Sequence, residues 1–116
     1  MYKKINNTLY TCDVCGKLIL DTEDAFLAWS RNKSTYKFEG FFIAHRVCFD
    51  NFHMEMELTS ALHIDGLAKL IVMLEEGLVA DIDSFTEVMK RLYLPHYEEA
   101  RKYFPLADAE DRKSVV

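Results

Sequence analysis

Three cysteines and one histidine in the first half of the chain form two closely spaced pairs. Cys12 and Cys15 are separated by two residues and followed by Gly16, and His45 and Cys48 are again separated by two residues. The full pattern is C-x2-C-x29-H-x2-C. A turn between two thiolates at this spacing curls the chain around one ion and aims backbone N–H groups at the sulfurs. Three sulfurs and one imidazole favour Zn(II) over hard cations such as Mg(II) or Ca(II).

We therefore predict that these four residues bind one Zn(II) ion. Four protein ligands leave no open coordination position for a catalytic water, so the site is expected to be structural. His53 is an alternative fourth ligand, since Cys48-x4-His53 is also a zinc-site spacing. Cys12 and Cys15 could instead form a thioredoxin-like redox pair, but that motif begins a helix, whereas a β-like sequence follows here.

Length and composition restrict the class of protein. A chain of 116 residues is long enough for one ordinary domain and too short for two independent cores. Half of the residues are hydrophobic and 13% are aromatic, which indicates a folded chain. No run approaches the roughly 18 apolar residues of a membrane span, and no signal peptide is recognisable. We expect a cytoplasmic protein, in which an odd number of cysteines disfavours a disulfide framework.

The sequence pattern predicts an α+β fold. Apolar and aromatic residues over 24–30 and 36–44 predict a β-hairpin around the polar loop 31–35, with a bulge at Gly40. Apolar residues then recur at helical spacing, which predicts a helix over residues 46–60.

The second half of the chain reads as helical. One apolar stripe is predicted on a helix that ends at Gly77, and Ser84 with Glu87 fits a capping box that opens the next helix. Pro95 should end that helix, and a further turn or two is expected over residues 96–104. The residues of the stripe are Leu67, Leu70, Ile71, Leu74 and Leu78.

The first half resembles the treble-clef zinc fingers, and among them the first zinc module of LIM-type domains and small phage and bacterial zinc-finger proteins. The resemblance lies in the knuckle CDVCGK of residues 12–17, the aromatic hairpin with Trp29 and the pair His45-x2-Cys48. It implies that Cys12, Cys15, His45 and Cys48 are the zinc ligands. The gap between the pairs is longer than in LIM modules and the second LIM zinc module is absent, so LIM partners are not transferred.

We accordingly divide the chain into three parts. Residues 1–60 form the treble-clef region, residues 61–107 form a helical region packed on it as one compact unit, and residues 108–116 form a frayed tail.

Charge bears on the class of partner. The chain carries 19 acidic and 14 basic residues, a formal charge of -5, which disfavours a protein whose main task is to bind nucleic acid. Arg31, Lys33 and Lys37 nevertheless gather at the predicted hairpin tip, where they could contact phosphates. A solvated loop is the simpler interpretation of these three residues.

The helical half has more apolar surface than a small three-helix cluster can hide, which favours another protein or a second copy of the chain as partner. The candidate interface residues are Ile64, Val72, Met73, Tyr93 and Leu94.

Catalysis is not expected. The sequence has no nucleotide-binding glycine loop, no serine-centred elbow and no carboxylate cluster with a free histidine. HNH-type nucleases also contain treble clefs, but their histidine base has no counterpart here because His45 is assigned to zinc. We predict a regulatory module that binds another protein, with a nucleic-acid-binding or transcription-regulating finger as the alternative. Such a small protein would suit a phage or prophage accessory protein that redirects a host factor.

Overall fold

The structure, a computed structural model, describes residues 9–103. The strands are Tyr10–Thr11 (β1), Leu18–Ile19 (β2), Ala25–Arg31 (β3), Phe38–His45 (β4) and Met54–Glu57 (β5). The helices are Leu58–Ala61 (α1), Ile64–Glu75 (α2), Ile82–Tyr93 (α3) and Tyr97–Ala100 (α4), and 3-10 turns are formed by Thr22–Asp24, Arg46–Cys48 and Arg101–Tyr103. Over the described range, no helix has both the length and the apolar character needed to cross a membrane.

The strands form two antiparallel sheets. β1 pairs with β2, and the larger sheet has the order β4-β3-β5. This is a small α+β fold, and the hairpin predicted from the alternating sequence is formed by β3 and β4. The side chain of Asn32 begins the connecting loop by accepting hydrogen bonds from the N–H groups of Ser34 and Thr35.

The predicted bulge at Gly40 is confirmed. The register changes from Ala28 opposite Phe42 to Ser30 opposite Glu39, so two residues of β4 face one residue of β3. Gly40 has a φ of 66°, which a residue without Cβ adopts at little cost. The bulge turns two successive N–H groups outward, and both bind the start of α3: Gly40 donates to Asp81 Oδ2 and Phe41 donates to Ser84 Oγ, each at 2.9 Å.

The helix predicted over residues 46–60 is wrong. Arg46–Cys48 form a 3-10 turn, Met54–Glu57 form strand β5, and an α-helix begins only at Leu58. The sequence Met-Glu-Met-Glu alternates with a period of two, and its pairing with the second edge of β3 overrides the weak helical spacing. Because no helix directly follows the second ligand pair, the treble-clef arrangement is not confirmed.

Helix α2 ends as predicted, with Gly77 at a φ of 71° and its N–H bonded to the carbonyl of Leu74 at 3.1 Å. The predicted stripe is only partly buried, since Ile71 and Leu74 are exposed. Helix α2 packs on α1 where Gly66 lies against the backbone of Ser60, and this packing leaves Ile71 and Leu74 exposed.

The predicted capping box at Ser84 is wrong, because the residue that caps helix α3 lies three positions before Ser84. Asp81 is the N-cap, and its carboxylate accepts the N–H of Ser84 at 3.1 Å. Ser84 lies inside the first turn, where its hydroxyl accepts the N–H of Phe41 from the bulge. Asp81 and Ser84 together fasten α3 to β4.

One hydrophobic core contains residues from both predicted regions of the chain. The ring of Phe41 connects them, stacked on Trp29 at 5.3 Å between centroids and edge-on to Phe85 of α3 at 5.1 Å. The predicted frayed tail, residues 108–116, lies outside the described residues.

We predict that Asp81→Ala lowers the free energy of unfolding by about 1–2 kcal/mol, because it removes both a helix cap and a partner of the bulge. The N–H of Gly40, with further contributions from Ser84, lowers the pKa of Asp81. A carboxylate with a lowered pKa stabilises the fold at neutral pH and loses this effect as the pH falls through its folded-state pKa.

The loss caused by Asp81→Ala should therefore be smaller in acid. Urea denaturation measures both effects, and Asp83→Ala in the same helical turn is the matched control. Equal losses in the two variants at neutral pH would contradict the role assigned to Asp81.

Candidate metal centre

Cys12, Cys15, His45 and Cys48 converge at one end of the large sheet. Cys12 directly follows β1, Cys15 lies in the turn between β1 and β2, His45 ends β4, and Cys48 ends the 3-10 turn that follows. Their ligand atoms all lie within 4.8 Å of one another. The structure thus brings together the four residues predicted from the spacing, in a group that could hold one metal ion.

Backbone hydrogen bonds shape the loop that carries the first pair. The N–H of Cys12 donates to the carbonyl of Lys17 and the N–H of Gly16 donates to the carbonyl of Cys12, each at 2.9 Å. Gly16 adopts a φ of 79°, which closes the turn. Asp13 joins this loop to β4, since its N–H donates to the carbonyl of Ile43 at 2.8 Å and its carboxylate accepts the Ile43 N–H at 2.8 Å. His45, two residues further along β4, is thereby held beside the two cysteines.

The distances among the donor atoms fit a tetrahedral zinc site. His45 Nδ1 lies 3.5 Å from Cys15 Sγ and 3.8 Å from Cys48 Sγ. Ligands at Zn–S of about 2.3 Å and Zn–N of about 2.0–2.1 Å stand about 3.5–3.8 Å apart at the corners of a tetrahedron. Both thiols approach the same ring nitrogen, so Nδ1 is the atom of His45 that would bind the metal. The donor set itself, three sulfurs and one imidazole, is one that zinc prefers.

The surroundings of Cys12 favour its thiolate form. Burial raises the pKa of this thiol, but N–H groups of Cys15, His45 and Val14 outweigh that effect and lower the pKa to about 6. Two of these donors lie 3.4 and 3.5 Å from the sulfur. Burial and then the neighbouring cysteines raise the pKa of Cys48 to about 11. A divalent cation would relieve this crowding of sulfurs, because it favours the ionised form of each ligand.

His53 does not join this group. Its Nδ1 lies 2.8 Å from Asp50 Oδ1, and its ring packs edge-on against Phe42 and Phe49. The structure therefore favours His45 as the fourth ligand and gives His53 a place in the aromatic cluster beside β4.

A buried ionic network lies directly behind the candidate metal-binding loop, residues 12–17. Arg91 of α3 is only 2% exposed, and its Nη1 donates to Asp13 Oδ2 at 2.6 Å. Its Nη2 donates to the carbonyl of Thr11 at 2.9 Å. Asp13 lies between the first two cysteines, so α3 is bonded to the metal-binding loop itself.

Glu98 of α4 completes the network. Its two carboxylate oxygens accept from Nε and Nη2 of Arg91 at 2.7 and 2.9 Å, and one of them also accepts the N–H of Thr11 at 2.9 Å. Burial would raise the pKa of Glu98, but the hydrogen bonds from Arg91 and Thr11 outweigh it and lower the pKa below its usual value. Bidentate pairing of this kind is the geometry in which arginine binds carboxylates most strongly.

Sequence reasoning missed this network. Arg91 lies three residues after Val88 on the buried face of α3. A cation on the buried face of a predicted helix is the signal that could have revealed the network, because buried charges are normally paired.

The other candidate residues are the three basic residues of the hairpin and the five interface residues, which lie on α2 and at the end of α3. Arg31, Lys33 and Lys37 are exposed at or beside the β3–β4 loop, and Arg31 lies over the ring of Tyr36 at 5.5 Å. Among the candidate interface residues, those that are exposed are Ile64, Val72 and Leu94, and those that are half-buried are Met73 and Tyr93. The hydroxyl of Tyr93 donates to the carbonyl of Ala61 at 2.5 Å.

Comparison of the chain with protein-family models, curated proteins and solved structures finds no match. The basis for a function is therefore the site itself, a Cys3His group able to hold a metal, in a small α+β fold in which helix α3 is bonded to the metal-binding loop.

We predict that the purified chain contains one zinc ion and that His45→Ala and Cys12→Ser each lose it, whereas His53→Ala keeps it. Metal analysis and the absorption spectrum of the Co(II)-substituted protein measure this. Structural zinc in small domains contributes on the order of 10 kcal/mol, so Cys12→Ser should also lose its cooperative unfolding. A Cys12→Ser protein that binds no metal and still melts cooperatively would contradict a structural role.

We also predict that Arg91→Met lowers the free energy of unfolding by about 3–5 kcal/mol, because it removes the buried guanidinium that pairs with Glu98 and leaves only the more exposed Arg101, 3.8 Å away. Lys90→Met, an exposed change on the same helix, is the control and should cost far less. Since Arg91 lowers the pKa of Glu98, its stabilising effect is fully present above the ordinary glutamate pKa and is lost as the pH falls through the lowered pKa of the folded state. Denaturation at neutral and acidic pH tests this, and equal losses in the two variants would contradict the network.

Proposed function

We propose that this chain is a zinc-structured module that acts by binding another protein. One Zn(II) ion would be held by Cys12, Cys15, His45 and Cys48 and would take no part in chemistry. The observation that carries the proposal is the cluster of four donor atoms within 4.8 Å of one another. Four such ligands would fill the tetrahedron around one Zn(II) ion and leave no position for a substrate or a reactive water. A module of this kind is not an enzyme.

The metal would act through the fold. The first ligand pair lies on a loop similar to the knuckle of a treble clef, and this part of the resemblance supports the site; the second pair lies on a strand end and a 3-10 turn instead of at the start of a helix. Through Asp13 the ion would also hold Arg91 in place and thereby the C-terminal helices. Zinc would thus keep a sheet and four helices in one rigid arrangement that can be presented to a partner.

Exposed apolar side chains support a protein partner. Val47 and Phe52, which flank Cys48, are 87% and 92% exposed, and Ile64 at the start of α2 is 79% exposed. Large apolar side chains that stand almost fully in water are a feature of surfaces that bind other proteins. The acidic balance of the chain favours a partner with a basic surface.

Binding to nucleic acid is the second candidate, and it is supported by one observation. Arg31, Lys33 and Lys37 are exposed at one hairpin tip, where Tyr36 is also exposed and could stack on a base. The formal charge of -5 weighs against this function.

Two measurements on the zinc-loaded chain separate these functions. We predict that it captures specific proteins from a nuclease-treated native lysate, and that it shows no saturable binding to random DNA or RNA at low salt. The matched variant is Arg31→Glu/Lys33→Glu/Lys37→Glu, which should capture the same proteins. Nucleic-acid binding that weakens steeply with salt and disappears in this variant would replace the proposal with the second candidate.

A further inference from the structure

The two edges of the large sheet differ in how far their backbone groups are hydrogen-bonded. Outward N–H groups of β4 are bonded along its whole length to the metal-binding loop and to the segment that leads into α3. The donors are Phe38, Gly40, Phe41, Ile43 and His45, and their acceptors are Leu78 O, Asp81 Oδ2, Ser84 Oγ, Asp13 Oδ2 and Cys12 Sγ. This edge cannot accept another strand.

The opposite edge is open within residues 9–103. Strand β5 pairs with β3 and with no other described strand, and none of its N–H or carbonyl groups bonds to a described residue on the side away from β3. Natural proteins usually block such an edge, because its backbone groups readily pair with another chain.

An apolar groove of about 550 Å³ lies beside this open edge. One side is lined by Glu55, Met56 and Glu57 of β5 and the other by Ala68, Lys69, Val72 and Met73 of α2. The groove is therefore bounded by both a strand edge and a helix face.

Trp29 also lines the groove and carries an unsatisfied group. The residue is 4% exposed, and its indole Nε1 has no hydrogen-bond partner among the described residues. Buried polar groups are normally paired, since an unpaired donor costs about 1–3 kcal/mol. This unpaired donor is a second feature, independent of the strand edge, that marks the groove as incomplete.

We propose that β5 binds an extended peptide segment of a partner protein as an additional strand in the groove between β5 and α2. This inference rests on the proposed function and specifies the chemistry of the partner. Backbone hydrogen bonds to β5 supply affinity, and side chains that enter the groove supply selectivity.

The sequence of β5 determines what that segment must carry. Met54 and Met56 lie opposite Trp29 and Leu27 and share their face of the sheet, and Glu55 and Glu57 alternate with them along the strand. Met56 and both glutamates line the groove. Directly opposed residues on neighbouring strands face the same side, and opposite charges there are favourable. The segment therefore has apolar residues at alternate positions, directed into the groove, with lysine or arginine between them.

A second copy of the chain does not meet this requirement. Pairing two copies of β5 edge to edge would place Glu55 and Glu57 of one copy beside the same residues of the other, and like charges at such positions are destabilising. Glu55 has a cation nearby in its own chain, Arg46 at 3.7 Å, whereas Glu57 forms no ion pair among the described residues. A basic segment from a different protein fits the strand better than a copy of itself.

The test uses a capped peptide of alternating valine and lysine, slightly longer than the four residues of β5. Trp29 is the sole tryptophan of the chain and lines the groove, so its fluorescence reports binding without a label. We expect saturable binding to the zinc-loaded chain. The same peptide N-methylated at alternate residues, on the register that blocks its hydrogen bonds to β5, should bind about tenfold more weakly or not at all.

Two matched variants locate the binding site. Val72→Glu introduces a charge into the groove at a side chain that is 45% exposed, so the fold should tolerate it. Ile71→Glu makes the same change on the same helix outside the groove, at a side chain that is 43% exposed. Val72→Glu should weaken peptide binding by about tenfold, and Ile71→Glu should leave it unchanged. Replacing the lysines of the peptide by glutamates should also weaken binding, and Glu57→Lys should reduce that preference.

The proposal is overturned by any one of three results. The wild-type chain binds none of these peptides saturably, N-methylation weakens binding on neither of the two registers, or the two variants bind the peptide equally well. Its failure can be distinguished from failure of the proposed function. Proteins captured from the lysate that remain bound to Val72→Glu would show that the groove is not their site, while protein binding itself would stand.

Discussion

The buried guanidinium of Arg91 is the interaction on which the rest of the structure depends. It bonds to Asp13 in the metal-binding loop, to the backbone of Thr11 in β1 and to Glu98 in α4. A buried arginine that lost these partners would be strongly unfavourable, so the loop, the small sheet and the last helices must form together with α3. The metal-binding half and the helical half are therefore one cooperative unit, although they look separate along the chain.

Strand β4 carries this coupling into the large sheet. Its last residue, His45, is a candidate metal ligand, and its bulge at Gly40 offers two N–H groups to the start of α3. Between these points, Ile43 is bonded in both directions to Asp13. The same strand is thus held by the metal-binding loop at one end and by a helix cap at the other, which leaves it little freedom to shift register.

Which features could be predicted from the sequence depends on the range of the interactions that form them. The four candidate metal ligands and the hairpin were predictable because each depends on local spacing or alternation. The Arg91 network joins residues 78 and 80 positions apart, and no local pattern reveals such pairs. The helix predicted over residues 46–60 was wrong because Met54–Glu57 pair with β3 as a strand. Ser84 was wrongly predicted to be the helix cap, since its hydroxyl instead accepts the N–H of Phe41 from a distant strand.

The difference between the two sheet edges also explains how a metal could matter without taking part in chemistry. The metal-binding loop bonds to β4, whereas the open edge and its groove belong to β5 on the far side of β3. A partner on β5 would not touch the ion. Zinc would act on such a partner only through the population of folded chain, and by mass action that changes the apparent affinity for every partner by the same factor. Changes at Val72 or Glu57 would instead alter affinity for each partner separately, so the candidate metal centre and the proposed peptide groove would affect binding in different ways.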